Sequence, residues 1–340
     1  MNENRLAADW EQQEAVWFSW PKSPELWNGN LDLIQSQFAK LYKLISRFQL
    51  VRVLCPKSAE KKLQELLGEA VEKNRVELWE YETDDVWCRD FGPFFVSNKE
   101  GSKLLVADFR FNAWGKKFDN FSKDDAASKF IAERLEFPYH KHAMILEGGA
   151  IDCNGAHTIL TTESVVLNSN RSGILEKCDF EAVVMSALNI DRVLWLCGGL
   201  KDDDTDGHVD NVARFYGKNS ILYAEVPEKK NPNYRTLFEN KRRLQSFVSA
   251  DGEKFQLTPL PLPNPLQFEE HYLAASYLNF LVLNGAIIFP SFGEAEKEKD
   301  VQNTLEKCYP GRVAIGFDCR QIIEEGGALH CLSQHQPATF

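Results

Sequence analysis

Four short stretches of the sequence combine residue types that can do covalent chemistry. They place Cys, His, Trp, Asp and Glu within a few positions of one another, and they read DDVWCRDFGP (84–93), LEGGAID (146–152), DTDGHVDNVARF (204–215) and GGALHCLSQHQP (326–337). A Cys and a His form the minimal set for nucleophilic catalysis, because the thiolate attacks while the imidazole moves protons. The stretches therefore predict a Cys–His active site.

Several carboxylates accompany this Cys–His pair, and they restrict the substrate. Negative charge opposes an acyl substrate, because such a substrate develops an oxyanion during the reaction. A guanidinium instead carries a permanent positive charge and a planar fork of N–H donors that pairs with carboxylates. The four stretches therefore favour guanidine chemistry.

The acidic run DDDTDGHVDN (202–211) has a second interpretation, which is a calcium-binding loop. Three alternating Asp residues and a Gly match the opening of the helix–loop–helix calcium motif: Asp202, Asp204, Asp206 and Gly207. The twelfth position of that motif should be a bidentate Glu, but it is Ala213 here. The flanks are also too short for amphipathic helices. We therefore expect no calcium site, and we expect Asp202, Asp203 and Asp204 to be solvated.

The composition excludes several classes of partner. The chain has 340 residues, 44% of them hydrophobic, and a net charge of −11. Binding to nucleic acid or to an anionic membrane requires clustered Lys and Arg, so neither is expected as the main partner. A small cationic molecule is favoured instead.

The cysteines and the N-terminus predict a cytoplasmic protein. Eight cysteines are scattered without a CxxC pair, which predicts reduced thiols rather than a zinc cluster or a disulfide framework. The first 21 residues lack the continuous apolar core of a secretory signal. The longest apolar run, Phe280 to Pro290, is too short to span a bilayer and is expected to form a buried strand and turn.

Helical and strand patterns alternate along the chain, which predicts a mixed α/β protein. The expected helices cover Leu31–Phe48, Ser58–Lys73, Asp124–Leu135, Phe180–Leu188, Asn233–Ser249 and Lys297–Cys308. The expected strands cover Val51–Cys55, Val76–Tyr81, Leu104–Phe109, Ala143–Leu146, Thr158–Thr161, Val193–Leu196, Ser220–Ala224, Ala286–Pro290 and Arg312–Phe317. The proline-rich stretch Pro259–Pro265 is expected to be a stiff loop. No composition break marks a linker.

A pair of glycines lies close to an apolar run at three places: Gly148-Gly149, Gly198-Gly199 and Gly326-Gly327. The spacing is too irregular to establish a repeat. Glycine pairs allow sharp turns and close approach of the backbone to another segment. We therefore expect several loops to converge on one crowded centre.

The blocks DVWCRDFGP, LEGGAID, TDGHVDNVARF and GGALHC resemble those of the agmatine deiminase and bacterial-type peptidylarginine deiminase family, within the guanidino-group-modifying (pentein) superfamily. The segments FRFNAWGKKFD (109–119), LTTESVVLNSNR (160–171) and SYLNFLVLNGAIIFPSFG (276–293) are also similar, so the resemblance extends from about Trp10 to Pro337. It implies a five-fold pseudosymmetric α/β propeller with a central active site, formed by a single catalytic domain over residues 1–340.

The resemblance also implies roles for the reacting groups. Cys331 is expected to be the nucleophile, His208 the general acid and base, and Glu147 the carboxylate that orients the His. Each also has a structural interpretation. A lone Cys is usually a buried structural thiol, a His in an acidic loop can be solvated, and a Glu before two glycines can cap a turn.

The substrate contacts follow from the same resemblance. Asp90 and Asp210 are expected to bind the guanidinium, and Trp87 to cover the flat face or aliphatic stem of the substrate. Asp206 is expected near the site, and Asn279 resembles a family Asn close to the substrate. An ion pair with the adjacent Arg is the alternative for Asp90, and core packing is the alternative for Trp87.

The implied reaction hydrolyses agmatine to N-carbamoylputrescine and ammonia, on a route to putrescine, without a metal or organic cofactor. The FNAWG block resembles the agmatine-specific branch. Arg110 argues for caution, because a cation near the pocket could bind the carboxylate of arginine or of a peptide end.

Other functions remain open at the level of the sequence. They are a peptidylarginine or free-arginine deiminase, an amidinotransferase with the same Cys–His–acid set, a metal-dependent hydrolase and a non-catalytic binding protein. A homodimer or larger homo-oligomer is expected from the resemblance alone. The sequence departs from the family pattern at His335, which interrupts a run of Gln, and at Ala328, which replaces a Gly; both changes affect loop shape rather than the catalytic groups.

Overall fold

The computed structural model describes residues 4–98, 102–173 and 176–339. The strands are Arg5–Leu6, Gln13–Ser19, Leu50–Cys55, Val76–Glu80, Phe94–Ser97, Leu104–Arg110, Tyr139–Ile145, Ile151–Cys153, Thr158–Thr162, Arg192–Leu196, Ala213–Gly217, Ser220–Glu225, Gln256–Pro261, Gln267–Phe268, His271–Tyr272, Leu281–Val282, Ala286–Ser291, Val313–Asp318 and Gln334–Pro337. The longer helices are Leu31–Ile45, Glu60–Leu67, Ser122–Arg134, Lys177–Leu188, Tyr234–Ser246 and Ala295–Cys308.

Short helical segments connect these elements. One-turn helices cover Glu69–Glu72, Cys88–Phe91, Glu163–Val166 and Ser169–Ser172, and 3₁₀ turns cover Trp27–Gly29, Lys57–Ala59, Gly148–Ala150, Val209–Asn211 and Ile322–Glu325. The turn over Ala113–Lys116 differs from the others, because all four of its residues have positive φ angles of 52° to 93°. Such left-handed backbone is unfavourable for residues other than glycine.

One pattern of strand pairing recurs in the sheets of the described residues. In each of five sheets a central strand pairs antiparallel with one neighbour and parallel with the other. For example, Ala286–Ser291 lies antiparallel to Leu281–Val282 and parallel to Val313–Asp318. One of the longer helices connects each parallel pair, as a crossover between parallel strands requires.

Both ends of the chain contribute to one sheet. The C-terminal strand Gln334–Pro337 pairs with Gln13–Ser19. Gln336 Oε1 accepts hydrogen bonds from Trp17 Nε1 at 3.0 Å and from Arg52 Nη1 at 2.7 Å. These contacts place the segment that follows Cys331 against the N-terminal part of the chain.

The structure confirms that the protein is mixed α/β, with helices near every predicted position. The predicted helix over Ser58–Lys73 is interrupted, because Gly68 adopts a φ of +52° and separates Glu60–Leu67 from Glu69–Glu72. The strand predicted at Ala143–Leu146 begins earlier, at Tyr139. The expected strand and turn between Phe280 and Pro290 is confirmed.

The prediction of a loop over Pro259–Pro265 was partly wrong. Residues Gln256–Pro261 form a strand parallel to Ser220–Glu225 at the edge of its sheet. An edge strand accommodates proline because one side of its backbone needs no ladder hydrogen bonds. Several short strands, including Gln13–Ser19 and Ala213–Gly217, were not predicted. Among the described residues, no helix is long and apolar enough to cross a membrane.

One of the predicted glycine loops, Gly198-Gly199, crosses the loop that precedes His208 at atomic contact. A Cβ atom added to Gly199 would lie 2.1 Å from the Cα of Gly207, the residue that precedes His208. The oxygen of Gly207 also accepts a hydrogen bond from Thr162 Oγ1 at 2.7 Å. This crossing fixes the backbone that leads into His208.

We expect Gly199→Ala to destabilise the fold by about 1–3 kcal/mol, because the methyl group overlaps the backbone of Gly207. Gly198→Ala is the matched control. A Cβ atom at this position would lie 3.2 Å from its nearest neighbour, the Oγ of Ser164, and would not overlap the backbone of another segment. Denaturant unfolding of both variants measures the difference. Equal stability of the two variants would contradict the close contact between the backbones of Gly199 and Gly207.

Candidate active site

Cys331 lies in the loop between the 3₁₀ turn Ile322–Glu325 and the C-terminal strand, and it is 4% exposed. Its Sγ accepts a hydrogen bond from Asn279 Nδ2 at 3.0 Å and lies 3.7 Å from Asp210 Oδ2. Burial raises the pKa of the Cys331 thiol well above its usual value, and the charges of Asp210 and Asp90 raise it further. The free site therefore holds a protonated thiol.

His208 is completely buried, in the loop before the 3₁₀ turn Val209–Asn211. Its Nδ1 lies 3.6 Å from Asp90 Oδ1, and neither ring nitrogen has a hydrogen-bond partner among the described residues. Burial alone would lower the pKa of His208, but the surrounding carboxylates, led by Asp90 and Asp210, outweigh burial and raise it. The imidazole therefore binds a proton more readily than usual and has no hydrogen-bond partner on its ring among the described residues.

Asp90 lies in the one-turn helix Cys88–Phe91. Its Oδ1 accepts a hydrogen bond from the Gly149 amide at 3.0 Å, and its Oδ2 accepts one from Trp114 Nε1 at 2.9 Å. Burial raises the pKa of Asp90 to about 6, although His208 and Trp114 act in the opposite direction. Gly149 is required here, because a Cβ atom at this position would lie 2.5 Å from His208 Nδ1.

Asp210 is completely buried beside the thiol. Its Oδ2 lies 2.7 Å from His330 Nδ1 and accepts a hydrogen bond from Asn279 Nδ2 at 3.3 Å. Its Oδ1 has no hydrogen-bond partner in the described part of the chain. Burial would raise the pKa of Asp210, but the hydrogen bond and charge of His330 and the charge of His208 lower it. Asp210 is therefore ionised, with one oxygen free.

Glu147 is also completely buried, and its Oε1 accepts a hydrogen bond from Arg171 Nε. Its Oε2 has no partner within the described residues. Arg171 in turn donates to Asp206 Oδ2 from Nη1 at 2.7 Å. The guanidinium therefore bridges two carboxylates and fixes the orientation of Glu147.

Asn279 connects several parts of the site. Its amide nitrogen donates to Asp210, Cys331 and Asn211, and its amide oxygen accepts from the backbone N–H groups of His330 and Cys331. Both ends of one side chain thus hold the Cys331 loop and the Asp210 turn together. The closeness of Asn279 to a substrate stays a prediction.

A cavity opens directly onto Cys331. Its lining comprises Leu26, Asp85, Trp87, Asp90, Trp114, Phe118, Asp204, Thr205, Glu325, Gly326, Gly327 and Cys331. Trp87 lies against Gly327, where a Cβ atom would be 2.4 Å from the indole ring. No Lys or Arg lines this cavity in the described part of the chain. Its walls are therefore aromatic, and its charged groups are all carboxylates.

The outer carboxylates of the cavity repel one another. Burial raises the pKa of Asp85 to about 6, and Glu325 adds to this effect. Burial also raises the pKa of Glu325, and the nearby charges of Glu324 and Asp204 contribute. A bound cation would relieve this repulsion.

The structure does not bring all of the predicted residues to the cavity. Arg110 is exposed at the end of its strand and does not line the cavity, so it is not in position to bind a substrate carboxylate. Asp206 binds Lys117, Asn170 and Arg171 instead of facing the cavity.

The expected exposure of Asp203 was wrong. Its side chain is buried and accepts hydrogen bonds from the backbone N–H and hydroxyl of Thr205, whereas Asp202 and Asp204 are exposed as expected. Within the described ranges, no group of three or more His, Cys, Asp or Glu side chains could hold a metal ion.

The sequence analysis did not predict three side chains that hold the carboxylates of the site. Trp114 binds Asp90 from the left-handed turn, and Arg171 binds Glu147. His330 binds Asp210, although the sequence singled it out only as the neighbour of Cys331. Trp114 and Arg171 lie in segments that resemble the family, but no motif or spacing in the sequence marks either residue as part of the site.

The arrangement fits a small planar cation. Cys331 and Asp90 line the aromatic cavity, and Asp210 and His208 lie 3.7 Å and 3.6 Å from them. Two buried carboxylate oxygens, Asp210 Oδ1 and Glu147 Oε2, have no partner among the described residues. Buried acceptors without partners are unfavourable, so a ligand that donates several hydrogen bonds would be strongly stabilised there. A guanidinium is such a ligand.

Comparison with known proteins agrees with this chemistry. The family model for Porphyromonas-type peptidyl-arginine deiminase matches residues 5–337. The chain is 34% identical to an agmatine deiminase of Stutzerimonas stutzeri over 359 residues, which cover 98% of this chain and 96% of that protein.

Two solved structures are also similar over nearly the whole chain. The agmatine deiminase of Enterococcus faecalis superposes with a TM-score of 0.91 at 27% identity, covering 98% of this chain and 96% of that one. A Cys-to-Ser variant of the C. jejuni agmatine deiminase with substrate bound gives a TM-score of 0.89 at 31% identity, covering 99% and 97%. The chain therefore belongs to the Porphyromonas-type peptidyl-arginine deiminase family.

Proposed function

We propose that this protein is an agmatine deiminase, which hydrolyses agmatine to N-carbamoylputrescine and ammonia. One observation carries the proposal: the buried thiol of Cys331 lies 3.7 Å from a carboxylate that has one free oxygen, at the base of a cavity lined by aromatic and acidic side chains. Relatives of similar length that are named agmatine deiminases support the choice of substrate.

Substrate binding uses the buried carboxylates. The guanidinium donates hydrogen bonds to Asp90 and to the free Oδ1 of Asp210, which holds its central carbon near Cys331 Sγ. The indole rings of Trp87 and Trp114 flank the cavity and cover the flat cation and its aliphatic stem. Arg171 keeps Glu147 oriented towards the same centre.

The first half-reaction forms a covalent intermediate. The substrate cation offsets the charges of Asp90 and Asp210, which lowers the pKa of the thiol, and Asn279 Nδ2 stabilises the thiolate by a hydrogen bond. Neutral His208 accepts the proton of the thiol, and Cys331 Sγ attacks the guanidinium carbon to form a C–S bond. The C–N bond to one terminal nitrogen then breaks, and His208 donates a proton so that ammonia leaves.

The second half-reaction hydrolyses the amidino thioether. His208, now neutral, takes a proton from a water molecule, and the oxygen attacks the same carbon. The C–S bond breaks, the thiol regains a proton, and the ureido product N-carbamoylputrescine leaves. The cycle consumes one water and releases one ammonia, and the residues described supply each proton transfer.

The charge of the cavity favours agmatine over arginine. Agmatine ends in an ammonium group, whereas arginine and peptides with C-terminal arginine carry a carboxylate. The outer wall presents Asp85, Asp204 and Glu325, which attract an ammonium and repel a carboxylate. Because Arg110 is exposed and away from this lining, it does not offset that repulsion.

The proposal extends to the architecture of the molecule. The recurring sheet pattern supports a five-fold pseudosymmetric propeller of the pentein type, in which residues 1–340 form a single catalytic domain around the site. The sheet shared by both ends of the chain supports the same arrangement. A homo-oligomer is proposed from the family alone.

We expect the enzyme to release ammonia from agmatine with a kcat/KM at least about 100-fold above that for arginine or for a peptide with C-terminal arginine, because like charges across a desolvated cavity cost several kcal/mol. The measurement is ammonia and ureido product from the three substrates, in the presence of a chelator.

Cys331→Ala is the control for this experiment and should abolish turnover of all three substrates. A preference for arginine or the peptide would keep the chemistry but overturn the choice of agmatine. Turnover that survives Cys331→Ala, or that a chelator removes, would overturn the covalent mechanism.

We expect kcat/KM for agmatine to fall as the pH drops below about 6, because only ionised Asp90 binds the guanidinium well and its pKa lies at about 6 in the free site. Trp114→Phe removes the hydrogen bond that lowers this pKa. The acidic limb of the pH profile should therefore move to higher pH.

Trp87→Phe is the matched control, because the Trp87 indole lines the same cavity and does not donate to the Asp90 carboxylate. The hydrogen bond from Asp90 N–H to the Trp87 carbonyl at 3.0 Å joins the two backbones and is retained in this variant. It should raise KM and leave the acidic limb in place. Equal movement of the limb in both variants would show that the limb reports another group.

A further inference from the structure

A chain of buried polar contacts leads from the site to the N-terminal segment. The Nδ1 of His330 lies 2.7 Å from Asp210 Oδ2, and its Nε2 lies 3.0 Å from Asp9 Oδ2. His330 is 2% exposed and Asp210 is completely buried. One imidazole thus connects the carboxylate beside Cys331 to a residue 321 positions earlier in the sequence.

Asp9 is itself firmly held. Arg214 Nη2 donates to its Oδ2, and the Nδ1 of His335 lies 3.1 Å from its Oδ1. Arg214 is completely buried and also donates to Asp152 Oδ2 from Nε at 2.5 Å. Asp9 is therefore a fixed point, against which the ring of His330 is oriented.

Asp210 depends on this ring for its orientation. Its other oxygen has no partner in the described part of the chain, and the hydrogen bond from Asn279 is longer, at 3.3 Å. A carboxylate with one loose anchor can rotate away from the thiol. The short contact with His330 prevents that rotation and leaves the free oxygen available to the substrate.

We propose that Asp9 and His330 are positioning residues, which fix Asp210 so that its free oxygen faces the substrate guanidinium. The inference rests on the proposed function, because it assigns a role to Asp210 in that reaction. Neither residue lines the cavity that opens on Cys331. Both line a separate small cavity with Arg89, Gly148, Asp152 and His335, so they act on the substrate only through Asp210.

The charged groups around His330 are two carboxylates and two guanidiniums. Asp210 and Asp9 lie at its ring nitrogens, and Arg214 and Arg89 lie nearby, with Arg89 Nε donating to the His330 carbonyl at 3.4 Å. Burial, followed by the charges of Arg214 and Arg89, lowers the pKa of His330. The hydrogen bonds with Asp210 and Asp9 act in the opposite direction and raise this pKa. A neutral ring has one N–H and can donate to only one carboxylate, so contact with both requires protons on Nδ1 and Nε2.

Asp152 provides a matched control for Asp9. Both are carboxylates that bind Arg214, and both line the second cavity. Asp152 receives its other hydrogen bond from the Phe215 amide at 2.7 Å, and among the described residues it makes no hydrogen bond to His330 or Asp210. A purely structural role for the network predicts similar effects of the two substitutions on activity.

The experiment compares Asp9→Ala, Asp9→Asn and Asp152→Ala. We expect Asp9→Ala to raise KM for agmatine by about 10- to 100-fold, because a small displacement of a binding group has effects of this size. Asp9→Asn retains a hydrogen-bonding group at the ring and should restore KM to within about threefold of the parent enzyme. Asp152→Ala should lower thermal stability and leave KM within about threefold.

A second pair of variants tests the ring itself. The amide nitrogen of Asn reproduces the position of Nδ1, and that of Gln reproduces the position of Nε2. His330→Asn should therefore keep the contact with Asp210 and retain a lower KM than His330→Gln. An unchanged KM in Asp9→Ala, or equal KM values in the two His330 variants, would overturn the proposal.

A measurement without substrate separates this inference from the proposed function. The rate of Cys331 alkylation by iodoacetamide against pH, read on the Cys331 peptide by mass spectrometry, reports the charge of Asp210 beside the thiol. Asp9→Ala should move this profile to lower pH by more than Asp152→Ala does. Equal profiles would overturn the inference, and failure of the parent enzyme to turn over agmatine would overturn only the proposed function.

Discussion

The structure depends on the burial of negative charge around a thiol. Asp90, Asp210 and Glu147 are each at most 4% exposed. The charges of Asp210 and Asp90 raise the pKa of the Cys331 thiol, and the charge of Glu147 raises the pKa of His208. Buried carboxylates are costly unless cations or N–H donors compensate them. The fold supplies part of this compensation through Arg171 and His330, and it leaves specific oxygens without partners.

That incomplete compensation links stability to function. If every oxygen in the site were satisfied by the protein, a guanidinium would have to displace existing hydrogen bonds in order to bind. The free oxygens of Asp210 and Glu147 and the unpartnered ring of His208 instead form a site that is complementary to a cation with several N–H groups. The molecule thus retains buried polar atoms without hydrogen-bond partners at a place where a bound ligand would supply those partners.

The loops that carry these groups are held by close backbone contacts and by long hydrogen-bond chains. Gly149 lets the Glu147 loop approach His208, Gly327 lets the Cys331 loop approach Trp87, and Asn279 connects Cys331 to Asp210. These loops come from widely separated positions in the sequence. The geometry of the site therefore requires the whole fold. No local segment could maintain it alone.

The sequence by itself determined the mixed α/β class, most of the longer helices and the family, because periodic apolar residues and dense clusters of Cys, His and Asp leave local signals. It also singled out Cys331, His208, Asp90, Asp210 and Glu147, but not their partners Trp114 and Arg171. It did not reveal that Gly68 interrupts a helix, that Asp203 is buried or that Arg110 is exposed and does not line the cavity. Only the tertiary structure decided which oxygens remain free and which partners hold them. Trp114 reaches Asp90 from a left-handed turn, and Asp9 reaches His330 across 321 residues. Contacts of this kind depend on the packing of distant segments, and therefore leave no pattern in neighbouring residues.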